Sequence, residues 1–268
     1  MRPLPGRLVL LGHPVAHSLS PRFQNAALRT AGIPLVYEAL DVAPDALRTT
    51  LAELAEVAAS GNVTIPHKEA VAACCVRRSV LAERCGAVNT FWHEDGQLVG
   101  DNTDVGGVDA IASALLGAAR ARARVALLGA GGSAAAVVAA VERWGDAHLR
   151  LYNRNVDRAR ALAARFGAVV EVVDSVEHAL DGATLVVNAT PVGLKDDALP
   201  VPVSALPPGA AVFDLVYRPN ETVWVRAARD AGHRAADGEG MLIEQGALSF
   251  ERWFGVVPDR GAMWRALR

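Results

Sequence analysis

The chain has 268 residues, of which 51% are hydrophobic, and a formal net charge of −2. That is enough chain and apolar content for two modest domains or one large one. Acidic and basic residues are mixed along it, so no tract of one sign points to nucleic acid or a membrane surface as partner. The three cysteines, Cys74, Cys75 and Cys85, have no CxxC spacing. The reading is therefore of no disulfide framework, no zinc or other metal site, and a reducing cytoplasm.

The opening "MRPLPGRLVLLGHPVAHS" reads as no secretory leader, because its apolar run breaks at Gly12, His13 and Pro14. Strand-like and helix-like pieces then alternate. Strands are predicted at Arg7–Leu11, Val36–Val42 and Asn62–Ile65, and helices at Pro21–Ala31, Pro44–Ala58 and Pro66–Val76. Two β-rich runs flank Glu94-Asp95-Gly96, a hairpin signal, and a helix is predicted over Val105–Leu116. Gly117–Ala123 is a seam. Beyond it strands are predicted at Arg124–Leu128, His148–Asn153, Val169–Val173, Thr184–Asn188, Ala211–Asp214 and Arg234–Ala236, with helices between most of them. Repeated βα units imply parallel sheets covered by helices. The uncharged run Val125–Val141 carries three glycines in its middle and is read as strand, turn and buried helix rather than a membrane span.

That run contains "LLGAGGSA", with Gly129, Ala130, Gly131, Gly132, Ser133 and Ala134 between a predicted strand and a predicted helix. Gly129, Gly131 and Ala134 fit G-x-G-x-x-A, in which the glycines allow a tight turn and close approach of a pyrophosphate. The phosphates would sit on free N–H groups at the helix start. At the end of the next strand an NAD site would place a carboxylate. This chain has Asn153-Arg154 there, with Arg158 one turn on. Guanidinium groups suit a 2′-phosphate, so the pattern favours NADP. The other reading of these arginines is a solvated helix start, with Asp157 at its N-terminus.

Polar clusters recur at strand ends in the first half. "HSLSP" gives Ser18 and Ser20, which could hold a carboxylate; Ser20 before Pro21 also reads as a helix N-cap. "NVTIPHK" gives Thr64 and Lys68, "GAVNT" gives Asn89, and "GDNTD" gives Asn102 and Asp104. Such Asn and Asp residues often bond only their own turn, but ligands also collect at the carboxyl ends of strands in open α/β sheets. Lys68 falls at a helix start, where the dipole and any burial disfavour an ammonium.

In order, "GHPVAHSLSP", "NVTIPHK", "GAVNT", "GDNTD", "GAGGSA", "YNR", "NATPVG", "DLVY" and "GEGMLIEQGA" run nearly end to end, and this set resembles the shikimate dehydrogenase family. One departure is Gln24, where that family commonly has histidine. The resemblance implies an NADP-dependent oxidoreductase of aromatic amino-acid biosynthesis that interconverts 3-dehydroshikimate and shikimate, as a monomer or homodimer. It implies two α/β domains with the active-site cleft between them. Residues 1–104 with 239–268 would form a substrate domain with a mostly parallel sheet, and residues 105–238 a Rossmann-like doubly wound NADP domain. By the same resemblance Ser18 and Ser20 hold the substrate carboxylate. Thr64, Asn89, Asp104 and Gln245 bind ring hydroxyls, with Tyr217 near, and Lys68 and Asp104 are the catalytic pair. Thr190, Leu215, Gly238 and Met241 border the nicotinamide. The rival readings are a quinate/shikimate dehydrogenase, with relaxed substrate or NAD use, and a non-catalytic NADP-binding regulator.

Overall fold

A computed structural model describes residues 3–268, so the first two residues of the N-terminal stretch and of the predicted 1–104 segment lie outside the described residues. The chain divides into two compact units: one runs to Asp104 and resumes over Leu242–Arg268, the other is Val105–Met241.

The first unit runs β1 (Leu8–Gly12), α1 (Ser20–Thr30), β2 (Tyr37–Asp41), α2 (Leu47–Glu56), β3 (Ser60–Val63), α3 (Lys68–Cys74), β4 (Arg77–Arg78), α4 (Val80–Cys85), β5 (Thr90–Glu94) and β6 (Gln97–Asp101). α5 (Asp104–Leu116) leads into the second unit, with β7 (Arg124–Leu128), α6 (Gly132–Val141), β8 (His148–Tyr152), α7 (Val156–Ala163), β9 (Val170–Val172), α8 (Val176–Leu180), β10 (Leu185–Asn188), β11 (Ala211–Asp214), α9 (Val223–Asp230) and β12 (Ala235–Ala236). α10 (Gly238–Phe254) carries the chain back, and α11 (Arg260–Arg265) follows it.

The first sheet has the order β2-β1-β3-β5-β6-β4, and only β5 runs against the others. Its centre is buried on both faces. Val9 and Leu11 of β1 join Leu51, Leu54, Val71 and Phe91 in one core cluster, while Leu8 and Leu10 join Phe23, Leu28, Ile243 and Phe250 in another. Alternation along a strand dictates that split. The hairpin turn uses Asp95 and Gly96, both at positive φ, the backbone that a two-residue β-turn requires.

The second sheet is wholly parallel, in the order β12-β11-β10-β7-β8-β9. That is the doubly wound arrangement, with its switch point between β7 and β10. α6 is apolar all round, and every residue from Ala134 to Val141 is buried, as such a helix demands. The apolar run Val125–Val141 is therefore β7, a glycine turn and a core helix. Among the described residues no helix is long and apolar enough to cross a membrane.

Several expected boundaries shift, β3 among them, which is Ser60–Val63 rather than Asn62–Ile65. The helix expected from Pro66 begins at Lys68, because Thr64–His67 form a turn closed by the His67 amide on the Thr64 carbonyl. β4 and α4, absent from the sequence reading, occupy the stretch after Cys75. There the Ser79 hydroxyl accepts from the Ala82 amide and Gly86 closes the helix at a φ of 59°.

Candidate active site

Lys68 is the first residue of α3, and Asp104 is the first residue of α5. A helix start suits a carboxylate and disfavours an ammonium, so each end supplies what the other lacks. The Lys68 Nζ donates to Asp104 Oδ2 at 2.6 Å, with the two side chains 15% and 7% exposed. The other oxygen, Oδ1, accepts from Asn89 Nδ2 at 2.8 Å. Asn89 Nδ2 also lies 3.1 Å from Gln245 Oε1, and Gln245 Nε2 donates to the Leu242 carbonyl. Four sequence-predicted residues, from α3, the loop before β5, α5 and α10, thus form one bonded cluster. Asn89 and Asp104 do not bond merely their own turns.

Buried groups that the sequence did not mark hold this cluster. The Asn89 Oδ1 accepts from the Thr103 amide at 2.7 Å and from the Thr90 hydroxyl at 3.0 Å. Thr90, Thr103 and Ser249 share hydroxyl bonds of 2.7 to 3.0 Å, and Asn62 donates to Thr90 and Ser249. The buried His67 ring bonds the Val42 carbonyl through Nε2 at 2.7 Å, pinning the turn just before Lys68. Lone Thr, Ser and His residues carry no local signal for such roles; their partners lie far away in sequence. Asn102 Nδ2 donates to the Ala87 carbonyl at 2.9 Å, tying the segment after β6 to the loop before β5.

Ser18 and Ser20 follow β1, and Thr64 follows the neighbouring β3. The expectation that Ser20 caps α1 is corrected. Leu19 is the N-cap and is already helical at φ −80°, ψ −9°, so Ser20 lies inside the first turn and Pro21 follows as its second residue. A capping side chain needs extended backbone. Instead the Ser18 hydroxyl accepts from the Ser20 amide at 3.2 Å. Gln24 is buried, and its Nε2 donates to the Gly246 carbonyl at 2.9 Å, beside Gln245.

In the second unit, Gly129 follows β7 at a φ of +107°, and a Cβ there would lie 2.8 Å from the Ala189 carbonyl oxygen. Only glycine meets both conditions cheaply. A Cβ on Gly131 or Gly132 would meet nothing within 4 Å, so the backbone here faces open space. The amides of Gly131, Gly132 and Ser133 have no acceptor among the described residues, and Ala134 is buried. Free amides at a helix N-terminus form an anion cradle. At the end of β8, Asn153 donates to the Asn155 carbonyl, and Asn155 caps α7 by accepting from the Asp157 and Arg158 amides. Arg154 and Arg158 are exposed, and neither guanidinium has a partner among the described residues. Asp157 is 87% exposed and pairs at 3.7 Å with Arg160, leaving both other arginines free. These residues fit a dinucleotide carrying an extra phosphate. Thr190 follows β10 at the switch point, Leu215 and Tyr217 follow β11, and Gly238 and Met241 open α10. Burial raises the Tyr217 hydroxyl above its ordinary range. A Cβ on Gly238 would lie 2.2 Å from the Leu215 carbonyl oxygen.

Comparison with known proteins gives the family. Residues 10–91 match the shikimate dehydrogenase substrate binding domain, residues 110–193 the shikimate/quinate 5-dehydrogenase family, and residues 238–268 the shikimate 5′-dehydrogenase C-terminal domain. The NADP(+) shikimate dehydrogenase of Rubrobacter xylanophilus is 45% identical, over 96% of this chain and 94% of that protein. The crystal structure of the Thermus thermophilus shikimate 5-dehydrogenase with NADP(H) and shikimate superposes with a TM-score of 0.88 at 40% identity, covering 97% of each chain. That of the Corynebacterium glutamicum quinate dehydrogenase with NAD does so at 0.89 and 31% identity, also covering 97% of each. The chain belongs to the shikimate dehydrogenase family, enzymes that are oxidoreductases acting on a CH–OH group.

Proposed function

We propose that this chain interconverts shikimate and 3-dehydroshikimate with NADP, in the cytoplasm, with Lys68 and Asp104 as the proton-transfer pair. The observation that carries the reading is the 2.6 Å Lys68–Asp104 contact, inside a cluster that also fixes Asn89 and Gln245. Bound NADP supplies the hydride acceptor, and an alcohol–ketone pair then needs only a proton acceptor besides. In oxidation the hydroxyl proton passes to Lys68, which Asp104 holds in place; in reduction Lys68 returns it to the carbonyl oxygen. Ser18 and Ser20 bind the substrate carboxylate, and Thr64, Asn89, Asp104 and Gln245 bind its ring hydroxyls, with Tyr217 assisting. The unit that ends at Asp104 and resumes at Leu242 is the substrate domain, and Val105–Met241 the cofactor domain. Gly129–Ala134 carry the pyrophosphate, Asn153, Arg154 and Arg158 the adenosine end with its 2′-phosphate, and Thr190, Leu215, Gly238 and Met241 the nicotinamide end. The protein works as a monomer or homodimer.

Quinate with NAD is the second reading, favoured by the likeness to the Corynebacterium glutamicum quinate dehydrogenase. Against it stand the missing carboxylate after β8 and the free Arg154 and Arg158. A regulator without catalysis would have no need of the Lys68–Asp104 pair. A spectrophotometric assay of shikimate or quinate against NADP or NAD tests all three. Shikimate with NADP should give the highest kcat/KM. Faster quinate turnover with NAD reverses the ranking, and no turnover with any pair favours the regulator.

A further inference from the structure

We infer that Asp214, acting through Asn188, is a positioning residue that sets the Thr190 turn and so the nicotinamide end of the cofactor site. The inference rests on the proposed NADP reading. Asp214 ends β11, Asn188 ends β10, and the two stand opposite each other in register across the sheet. Both are fully buried. Among the described residues no cation pairs with Asp214. Its Oδ1 accepts from Asn188 Nδ2 at 2.8 Å and from the Val216 amide at 3.1 Å, and its Oδ2 accepts from the Thr222 hydroxyl at 2.9 Å. Burial raises this carboxyl above its ordinary range, and those three bonds oppose the rise.

The chain of bonds has a direction. Because Asp214 takes the Asn188 NH2, the Asn188 oxygen must face the other way. There it accepts from the Thr190 amide at 3.0 Å and the Thr190 hydroxyl at 2.6 Å. The Thr190 hydroxyl in turn accepts from the Val192 amide at 3.2 Å. The turn so held touches the glycine loop: a Cβ on Gly129 would lie 2.8 Å from the Ala189 oxygen and 3.0 Å from Thr190 Cγ2. Asp214 at the end of β11, joined by the Val192 carbonyl that also accepts from Asn188 Nδ2 at 3.3 Å, therefore fixes an amide orientation, a turn and the wall of the cradle. The role belongs to the acceptor rather than to its charge. Asp214→Asn keeps an oxygen for Asn188 and can donate to Thr222; Asp214→Leu fills similar space without any acceptor.

The test is NADP+ titration by calorimetry, together with KM values for NADP+ and shikimate, in the wild type, Asp214→Leu, Asp214→Asn and Thr222→Val. Asp214→Leu should weaken NADP+ by about tenfold, the worth of a well-placed hydrogen bond. Its shikimate KM should stay within about twofold, since that site is built by other residues. Asp214→Asn should restore NADP+ affinity, and Thr222→Val should lower the melting temperature while leaving that affinity alone. Equal NADP+ affinity in the Leu and Asn variants, or a loss in Thr222→Val as large as in Asp214→Leu, overturns the inference. A wild type that binds no NADP+ defeats the functional reading and this inference together, whereas normal wild-type binding with an unaffected Asp214→Leu defeats this inference alone.

Discussion

The two units prepare for their ligands in opposite ways. The first unit bonds the buried polar groups of its site to one another: Lys68, Asp104, Asn89 and Gln245 form one cluster, supported by Thr90, Thr103 and Ser249. The second unit leaves donors open: among the described residues the amides of Gly131–Ser133 and the exposed Arg154 and Arg158 have no partner. Preorganised side chains serve chemistry, which needs groups held in place before the reaction. Open backbone donors and exposed arginines serve affinity for a phosphate-bearing cofactor. Substitutions in the first unit should therefore act on turnover, and those in the second on cofactor binding.

The largest effect should come from the first unit. Lys68→Ala should lower kcat by about 10²–10⁴-fold, the usual worth of a placed acid or base, with a much smaller change in shikimate KM. Asp104→Asn should harm both kcat and KM, because its carboxylate positions Lys68 and is assigned a ring hydroxyl. Steady-state kinetics check this; a change confined to KM in Lys68→Ala would make the lysine a binding group. In the second unit, Arg154→Asp should weaken NADP by about 10- to 100-fold, the scale of a hydrogen bond to a charged group, while NAD loses less. Equal losses measured for the two cofactors would remove Arg154 from the 2′-phosphate. Gly129→Ala should cost about 1–3 kcal/mol of stability, because its φ is +107° and the new Cβ meets the Ala189 oxygen. Thermal denaturation reads that loss directly.

The smallest effect concerns carboxylates. Asp104 has a cation, whereas Asp237, after β12, has chiefly the Glu239 amide, which donates to its Oδ1 at 3.1 Å. Burial pushes the Asp237 carboxyl up to about 6. A carboxyl raised in the fold binds more protons there than in the unfolded chain, so its contribution is favourable below about pH 4 and is lost as pH rises through about 6. Asp237→Asn should thus stabilise the protein at pH 8, by about 1 kcal/mol after allowing for its partial exposure to solvent. That gain should vanish near pH 4. Melting temperatures at the two pH values test the sign, and a gain that grows toward acid pH would contradict it.

Strands and helices with strong periodicity were legible in the sequence. β7 and β11 fall on the predicted residues, and the Asp95-Gly96 turn marks the hairpin. β4 was not legible because two arginines at a sheet edge carry no apolar alternation. α4 left a fainter signal, Ser79 at its start and Gly86 at its end. In the site, Lys68, Asn89 and Asp104 stood out as polar residues at strand ends. Their supports did not: Asn62 reaches Ser249, and Asn188 reaches Asp214, across long stretches of chain that local patterns cannot join. Ser20 misled because its pattern before Pro21 is that of a cap, while the chain already turns helical at Leu19.

The most direct test of the account is a double-mutant cycle on kcat with shikimate and NADP, comparing Lys68→Ala, Asp104→Asn and the double variant. If the two residues act as one proton-transfer unit, the double variant should lose little more than the worse single variant. Losses that multiply would show the two residues acting independently and would contradict the assignment of the pair.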